Sequence, residues 1–220
     1  MGTDVEREKQ LAAEAAAALV EDGMTVGLGT GATAGYFLTA LAARRLDLRC
    51  VATSPATESA ALALGLPLES FDDAIALSRL DVAVDGADQV VPDGWIVKGG
   101  GGAHTREKVV AVAADRFVVI ASSDKLVERV AAPVPLELMA FGLGATLARL
   151  EHARLREAPP TPDGGVLADW RGPVDDPAEL AARLSATPGV VEHGLFAPEL
   201  VSEVIVGRGN SVERISYGGA

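Results

Sequence analysis

Residues 98–108 read Lys-Gly-Gly-Gly-Gly-Ala-His-Thr-Arg-Glu-Lys, four consecutive glycines between a lysine and a charged triplet. Each glycine in a regular element costs about 0.5–1 kcal/mol relative to alanine, so this run is not built for helix or strand. It offers backbone that a ligand can approach from every side. Successive glycine amides form a concavity suited to an oxyanion, and Lys98 places a positive charge beside it. Glu107 lies one turn into the helix that follows, near its positive end, with Arg106 and Lys108 as neighbours. The bland alternative makes Arg106-Glu107-Lys108 a solvated helix face, which leaves the four glycines unexplained.

Two more groups have spacings that could do chemistry. Gly27-Leu28-Gly29-Thr30-Gly31-Ala32-Thr33 joins an apolar strand to a helix, where backbone N–H groups close on an anion. The loop fits the G-x-G-x-x-G/A pattern of dinucleotide sites, and Asp47 follows at a suitable distance. The acid of such a site ends the second strand, however, and Thr53-Ser54 stand there. No Gly-Lys-Ser/Thr closes the loop, so it is not a Walker A motif. Phosphate binding is the leading expectation, with a dinucleotide site or a structural turn as alternatives. Asp85-Gly86-Ala87-Asp88 follows another strand and sets two carboxylates at the carboxyl edge of a sheet, where open α/β sheets bind ligands. They could hold sugar hydroxyls or move protons; the alternative is a solvated turn with a helix-capping aspartate.

These groups need a scaffold, and hydrophobic periodicity supplies one. Helices are expected at 5–20, 32–45, 57–64 and 105–114, and strands at 24–28, 49–52, 81–84 and 117–121. Short apolar strands alternating with helices predict a parallel sheet covered on both faces. Beyond Pro133 the texture changes. Most of the 12 prolines fall there, with an amphipathic helix near 144–156, turns at 159–165, a helix at 180–184 and a strand at 190–196. The segment 203–206 (EVIV) is expected to return to the main sheet. The expected domains are residues 1–131 with 202–220, and an inserted α+β domain at 132–201.

Composition narrows the partners. A net charge of −12 argues against nucleic acid and against an anionic membrane surface. Hydrophobic residues at 49% and charged residues at 23% describe a globular chain, and 4% aromatics make its core aliphatic. Cys50 is alone, and the three histidines, His104, His152 and His193, are scattered, so neither an internal disulfide nor a metal site is expected. The charged opening MGTDVEREKQ carries no signal peptide, and a cytoplasmic location is the default expectation.

In this order, the sites resemble the ribose-5-phosphate isomerase type A family. The likeness runs through VGLGTGATA (26–34), TSPATESAALALGLPL (53–68), DVAVDGADQV (81–90), KGGGGAHTREKVVA (98–111), SDKLV (123–127), PVPLEL (133–138) and PGVVEHGLF (188–196). The resemblance implies a three-layer αβα, Rossmann-like domain with a smaller α+β lid. It implies a cofactor-free and metal-free interconversion of ribose 5-phosphate and ribulose 5-phosphate in a homodimer or homotetramer. Glu107 is then the base that moves a proton between C2 and C1. Lys98 with the amides of Gly99, Gly100 and Gly101 stabilises the enediolate, and Asp85 and Asp88, flanking Gly86 and Ala87, hold hydroxyls and assist ring opening. Thr30, Gly31, Ala32 and Thr33, with Lys9 and Lys125, receive the phosphate and ring oxygens. The chain departs from the family at Ala32 (usually serine), Gln89 (usually glutamate) and His104 (usually apolar). Further departures are 138–141, without the usual proline, and the turn at 161–165. These departures leave open an isomerase of a modified pentose phosphate. A non-catalytic sugar-phosphate module is the other reading, though Glu107 and Lys98 are both present.

Overall fold

A computed structural model describes residues 2–71 and 77–217, and the outermost ends of the expected domains, residues 1 and 218–220, lie outside it. In chain order the elements begin with α1 (Gly2–Ala17), β1 (Thr25–Leu28), α2 (Ala32–Ala43), β2 (Arg49–Ala52), α3 (Pro55–Ala63) and β3 (Val82–Gly86). Next come β4 (Gln89–Val90), β5 (Ile96–Val97), α4 (His104–Ala113), β6 (Phe117–Ser122), β7 (Val134–Leu138), α5 (Leu143–Arg149) and β8 (Ala153–Leu155). The chain ends with β9 (Val166–Trp170), α6 (Pro177–Ser185), β10 (Val190–His193), β11 (Leu195–Phe196), β12 (Glu203–Arg208) and β13 (Ser211–Ser216). These elements divide into two units: Met1–Ala87 with Arg106–Leu126 and Glu199–Ala220, and Asp88–Thr105 with Val127–Pro198.

The first unit is built on a six-stranded sheet of order β13-β12-β6-β3-β1-β2. Every pair is parallel except β12 with β13. On one face, Ala12, Ala13, Ala16 and Ala17 of α1 and Phe37, Leu38 and Leu41 of α2 pack with Val26, Leu28, Val84, Val118, Ile120 and Ile205. Four alanines on one stripe let α1 lie close to its neighbours. On the opposite face, a Cβ at Gly27 would fall 2.4 Å from Cγ1 of Val110, so glycine there lets α4 lie directly on β1. The sheet is thus covered on both sides, as the alternation of elements predicts.

The second unit is antiparallel. Its four-stranded sheet has the order β10-β7-β9-β8, and a three-stranded sheet has the order β11-β5-β4. Leu136, Leu138, Leu150, Ala168, Trp170, Leu180 and Leu184 belong to its core. Asp176 caps α6 by accepting the N–H groups of Ala178 and Glu179 at 2.8 and 3.1 Å, and Pro177 supplies the first helical residue.

The structure differs from the sequence expectations at several points. Residues 88–105 belong to the second unit, so its limits depart from the expected 131/132 and 201/202 boundaries. The reason is strand pairing: β5 pairs with β4 on one side and β11 on the other rather than joining the parallel sheet. The side chain of Gln89 also donates to the carbonyl of Ala131 at 2.7 Å and accepts its N–H at 2.9 Å. An amide can do both; a carboxylate cannot. The expected helix at 144–156 stops at Arg149, because residues from Ala153 onward pair with β9. The expected strand at 190–196 is cut at Gly194 into β10 and β11, which belong to different sheets. β13 carries no apolar alternation because it is an exposed edge strand, where charges such as Glu213 and Arg214 prevent further pairing.

Glu8 ties three parts of the first unit together. Buried in α1, it accepts the N–H and hydroxyl of Ser123 at 2.8 and 2.7 Å and the N–H of Gly209 at 2.7 Å. Burial pushes its carboxyl up, but these hydrogen bonds outweigh burial and hold it below the usual 4.5. Because the folded state binds this proton less tightly than the unfolded chain, the carboxylate stabilises the fold above the unfolded pKa. That contribution is lost as pH falls through the depressed folded value. Glu8→Ala should therefore lower the unfolding free energy by about 2–3 kcal/mol at pH 7. In urea melts its deficit relative to wild type should shrink toward pH 3. A deficit that stays constant across that range would rule out the charged form as the source.

Candidate active site

The candidate residues fall in both units, and the chain crosses between units inside the motifs themselves, after Ala87 and after Thr105. Within the first unit, the loop after β1 is fixed before it opens: the N–H of Gly29 donates to the carbonyl of Val84 at 2.9 Å. Asp85, only 3% exposed at the end of β3, accepts the N–H of Thr30 at 3.1 Å and that of Gly86 at 2.7 Å. A Cβ at Gly29 would lie 2.2 Å from Cγ of Asp85, so glycine at 29 leaves the space that this carboxylate fills.

Thr30 anchors a knot of hydroxyls. Its Oγ1 lies 2.8 Å from that of Thr53, 2.9 Å from Oγ of Ser54 and 2.9 Å from Oγ1 of Thr57. Thr53 and Thr57 in turn donate to the carbonyls of Leu28 and Gly29 at 3.0 and 2.9 Å. Ser54 caps α3 by accepting the N–H of Thr57 at 3.1 Å. Thr57 has no role in the sequence reading; the only signal was Ser-Pro-x-Thr, a helix start with proline at its first position. Gly31, with φ of 113°, precedes α2 and gives it no side-chain cap, and Ala32 stands exposed in the first turn. A helix start without its own cap, behind a rigid loop, suits an anion.

Glu107 is 4% exposed in the first turn of α4. It lies three residues, about 4.5 Å along the axis, nearer the helix N-terminus than Val110, which packs on Gly27. Helices in such a sheet run antiparallel to the strands, so this displacement carries Glu107 toward the strand ends where Thr30 and Asp85 sit. Lys9 and Lys125 lie on α1 and on the adjoining 3₁₀ turn Ser123–Lys125, which Glu8 joins. Lys9 is drawn to Glu6 at 2.7 Å and Lys125 to Asp124 at 3.4 Å.

Within the second unit, Lys98 follows β5 and is 3% exposed, its ammonium 5.8 Å from the ring centre of Phe196. The backbone N–H of Lys98 donates to the carbonyl of Gly194 at 2.9 Å. The glycines after it answer to different neighbours. Gly99 has φ of 100°, and a Cβ there would meet the ring of the fully buried His104 at 2.6 Å. A Cβ at Gly100 would lie 2.9 Å from Oδ1 of Asp88, whose Oδ2 accepts the Gly100 N–H at 2.7 Å. One at Gly102, where φ is 78°, would strike Leu167 at 2.5 Å. Only Gly101 faces open space. Packing thus accounts for three of the four glycines, and Asp88 already engages the amide of Gly100.

Two buried acids, Asp169 and Glu137, support this loop and the start of α4, and the sequence reading assigned neither a role. Asp169 holds Arg156, whose guanidinium reaches the carbonyls of Gly99 and Gly100. Glu137, 2% exposed on β7, accepts the hydroxyls of Thr105 at the start of α4 and of Thr161, the latter at 2.6 Å. Thr161 closes the turn at 161–165 by accepting the Gly165 N–H on its hydroxyl at 2.9 Å. The partners of these acids, Arg156 past β8, Thr105 in α4 and Thr161 in a turn, lie 13 to 32 positions away, and no sequence motif marks them. Cys50 is buried and its thiol is pushed up to about 12, so it is no nucleophile. Among the described residues no cluster of three His, Cys, Asp or Glu side chains could hold a metal ion, and no helix is long and apolar enough to cross a membrane.

The chain is similar to known proteins in sequence and in fold. The family model for ribose 5-phosphate isomerase A (phosphoriboisomerase A) matches residues 49–211. Ribose-5-phosphate isomerase A of Caulobacter vibrioides is 44% identical over 224 residues, covering 94% of this chain and 97% of the relative. The crystal structure of ribose 5-phosphate isomerase A from Neisseria gonorrhoeae superposes with a TM-score of 0.90 at 30% identity, covering 97% of each chain. A D-ribose-5-phosphate isomerase solved in complex with phospho-erythronic acid gives 0.89 at 34% identity, covering 96% of this chain and 99% of that one.

The unequal demands on the glycines lead to a direct test. Gly99→Ala forces a left-handed backbone on alanine and a clash with His104, and should cost about 1–3 kcal/mol. Gly101→Ala meets nothing and should stay within about 0.5 kcal/mol of wild type. Thermal unfolding of the two variants side by side checks this; equal melting temperatures would contradict the assignment.

Proposed function

The chain belongs to the ribose 5-phosphate isomerase A family, a family of isomerases, and on that premise we propose that Glu107 moves the proton in an aldose–ketose interconversion of ribose 5-phosphate and ribulose 5-phosphate. The observation that carries this is a buried carboxylate in the first turn of α4, directly following Lys98 and the glycine loop. In the opened aldose, Glu107 takes the proton from C2. The C2–H electron pair becomes the C1–C2 double bond, and the C1 oxygen takes the negative charge. The proton returns to C1 while the proton of the C2 hydroxyl passes to the C1 oxygen, so that C2 becomes the ketose carbonyl and C1 a hydroxymethyl group.

The enediolate between these steps is the species to be stabilised. Lys98 with the amides of Gly99, Gly100 and Gly101 serves this role, with Gly101, the unobstructed one, foremost. One well-aimed donor of this kind contributes about 3 kcal/mol. Asp85 and Asp88, around Gly86 and Ala87, hold sugar hydroxyls and assist ring opening. The uncapped start of α2 supports phosphate binding at Thr30, Gly31, Ala32 and Thr33, with Lys9 and Lys125 supplying positive charge in a chain whose net charge is −12. The same reading places the reaction in the pentose phosphate pathway, without metal or cofactor, in a cytoplasmic homo-oligomer. It also takes the second unit, with the limits the structure gives it, as the lid that the sequence reading expects.

A coupled assay with ribose 5-phosphate tests the reading. Glu107→Gln keeps volume and hydrogen bonding but cannot accept the C2 proton, so kcat should fall by about 10²–10⁴-fold with KM little changed. Retention of a tenth of the wild-type kcat would dismiss Glu107 as the base.

Ala32 gives a second test. Serine there would donate a charge-assisted hydrogen bond to phosphate, an interaction of about 1.5–3 kcal/mol. The phosphate is remote from C1 and C2, so the gain is uniform binding. Ala32→Ser should lower KM for ribose 5-phosphate several-fold with kcat unchanged. A KM that stays put or rises would favour a pocket shaped for another pentose phosphate.

A further inference from the structure

Arg156 sits one residue past β8 and makes contacts that the proposed chemistry has not used. Its N–H donates to the carbonyl of Leu167 at 3.0 Å, extending the β8–β9 ladder by one rung. Its Nε and Nη2 both donate to Oδ1 of Asp169, at 2.9 and 2.6 Å. Its Nη1 donates to the carbonyls of Gly99 and Gly100, at 3.0 and 3.2 Å. Asp169 is 7% exposed, in the middle of the antiparallel sheet. Arg154, directly opposite Asp169, turns instead to the carbonyls of Glu151 and Ala153, which leaves Oδ1 to Arg156.

A peptide unit is planar, with its C=O and the following N–H pointing in opposite directions. A hydrogen bond to the carbonyl of Gly99 therefore orients the N–H of Gly100, and one to the carbonyl of Gly100 orients the N–H of Gly101. The Gly99–Gly100 peptide is held at both ends, by Arg156 on its oxygen and by Asp88 on its nitrogen. The Gly100–Gly101 peptide is held by Arg156 at its oxygen, and its N–H belongs to the one glycine facing open space. A cation on a carbonyl also polarises the peptide and makes its N–H a stronger donor. Glycine would otherwise be the residue least able to keep an amide aimed.

We propose that Arg156, anchored on Asp169, is a positioning residue that aims the Gly101 amide at the developing oxyanion. This rests on the isomerase reading above. The rigid, five-donor fork of arginine serves two carbonyls and one carboxylate at once; the point charge of lysine cannot span them.

The test uses the full chain with Arg156→Lys and Arg156→Met. The lysine variant keeps a cation for Asp169 and guards against simple misfolding. In both variants the ¹⁵N order parameters of Gly100 and Gly101 should fall from about 0.85 to below about 0.6 while those of β8 and β9 hold. The kcat for ribose 5-phosphate should drop about 10- to 100-fold with KM changed less than about threefold. Affinity for phospho-erythronic acid, whose carboxylate mimics the enediolate charge, should fall in step with kcat/KM. Unchanged order parameters, a freed loop with full kcat, or a loss confined to KM or melting temperature would each overturn the proposal. A wild-type enzyme inactive on ribose 5-phosphate would instead sink the isomerase reading, and the order parameters would still decide whether Arg156 holds the loop.

Discussion

Asp85 reaches across the end of β3 into space that any residue but glycine at position 29 would fill. From that seat it fixes the amides of Thr30 and Gly86, and Thr30 in turn gathers Thr53, Ser54 and Thr57. One buried carboxylate thereby sets the loop before α2, the start of α3 and the turn after β3. A buried charge is tolerable only when hydrogen-bonded, and the ends of parallel strands supply the amides that do this. The same rule recurs at Glu8 and Glu137, each buried and each accepting from donors of separate elements, and at Asp169, which takes two N–H groups of Arg156.

Net charge and local charge point in opposite directions here. A chain carrying −12 repels an anionic sugar phosphate at long range, so binding must come from short-range donors. The candidate donors are helix N-termini, glycine amides and buried cations, whose fields screening by salt weakens least. Family membership with an isomerase activity leaves the non-catalytic reading without support.

Several elements were legible from pattern alone. Strand 49–52 matches its expected limits, and α2, α4 and β6 lie within two residues of theirs, since each is long enough for its apolar pattern to show. The second unit was read less well. Its short antiparallel strands β4, β5 and β8 gain their state from the strands they pair with, and two or three residues carry no period to detect. Likewise the glycine run announced a special backbone, but not that His104, Asp88 and Leu167 each press on one glycine of it.

By itself the sequence determined the class of fold, the glycine loops, the order of the motifs and the residue types available for proton transfer. Those follow from covalent facts: which residues lack a Cβ, which carry a carboxylate, and how apolar residues are spaced. The tertiary structure alone decided which carboxylates support the backbone, which glycine is open, and that Arg156 grips the loop from just past β8. Such contacts join residues tens of positions apart, 57 for Arg156 and Gly99, and chain spacing holds no information about distances set by strand pairing and packing.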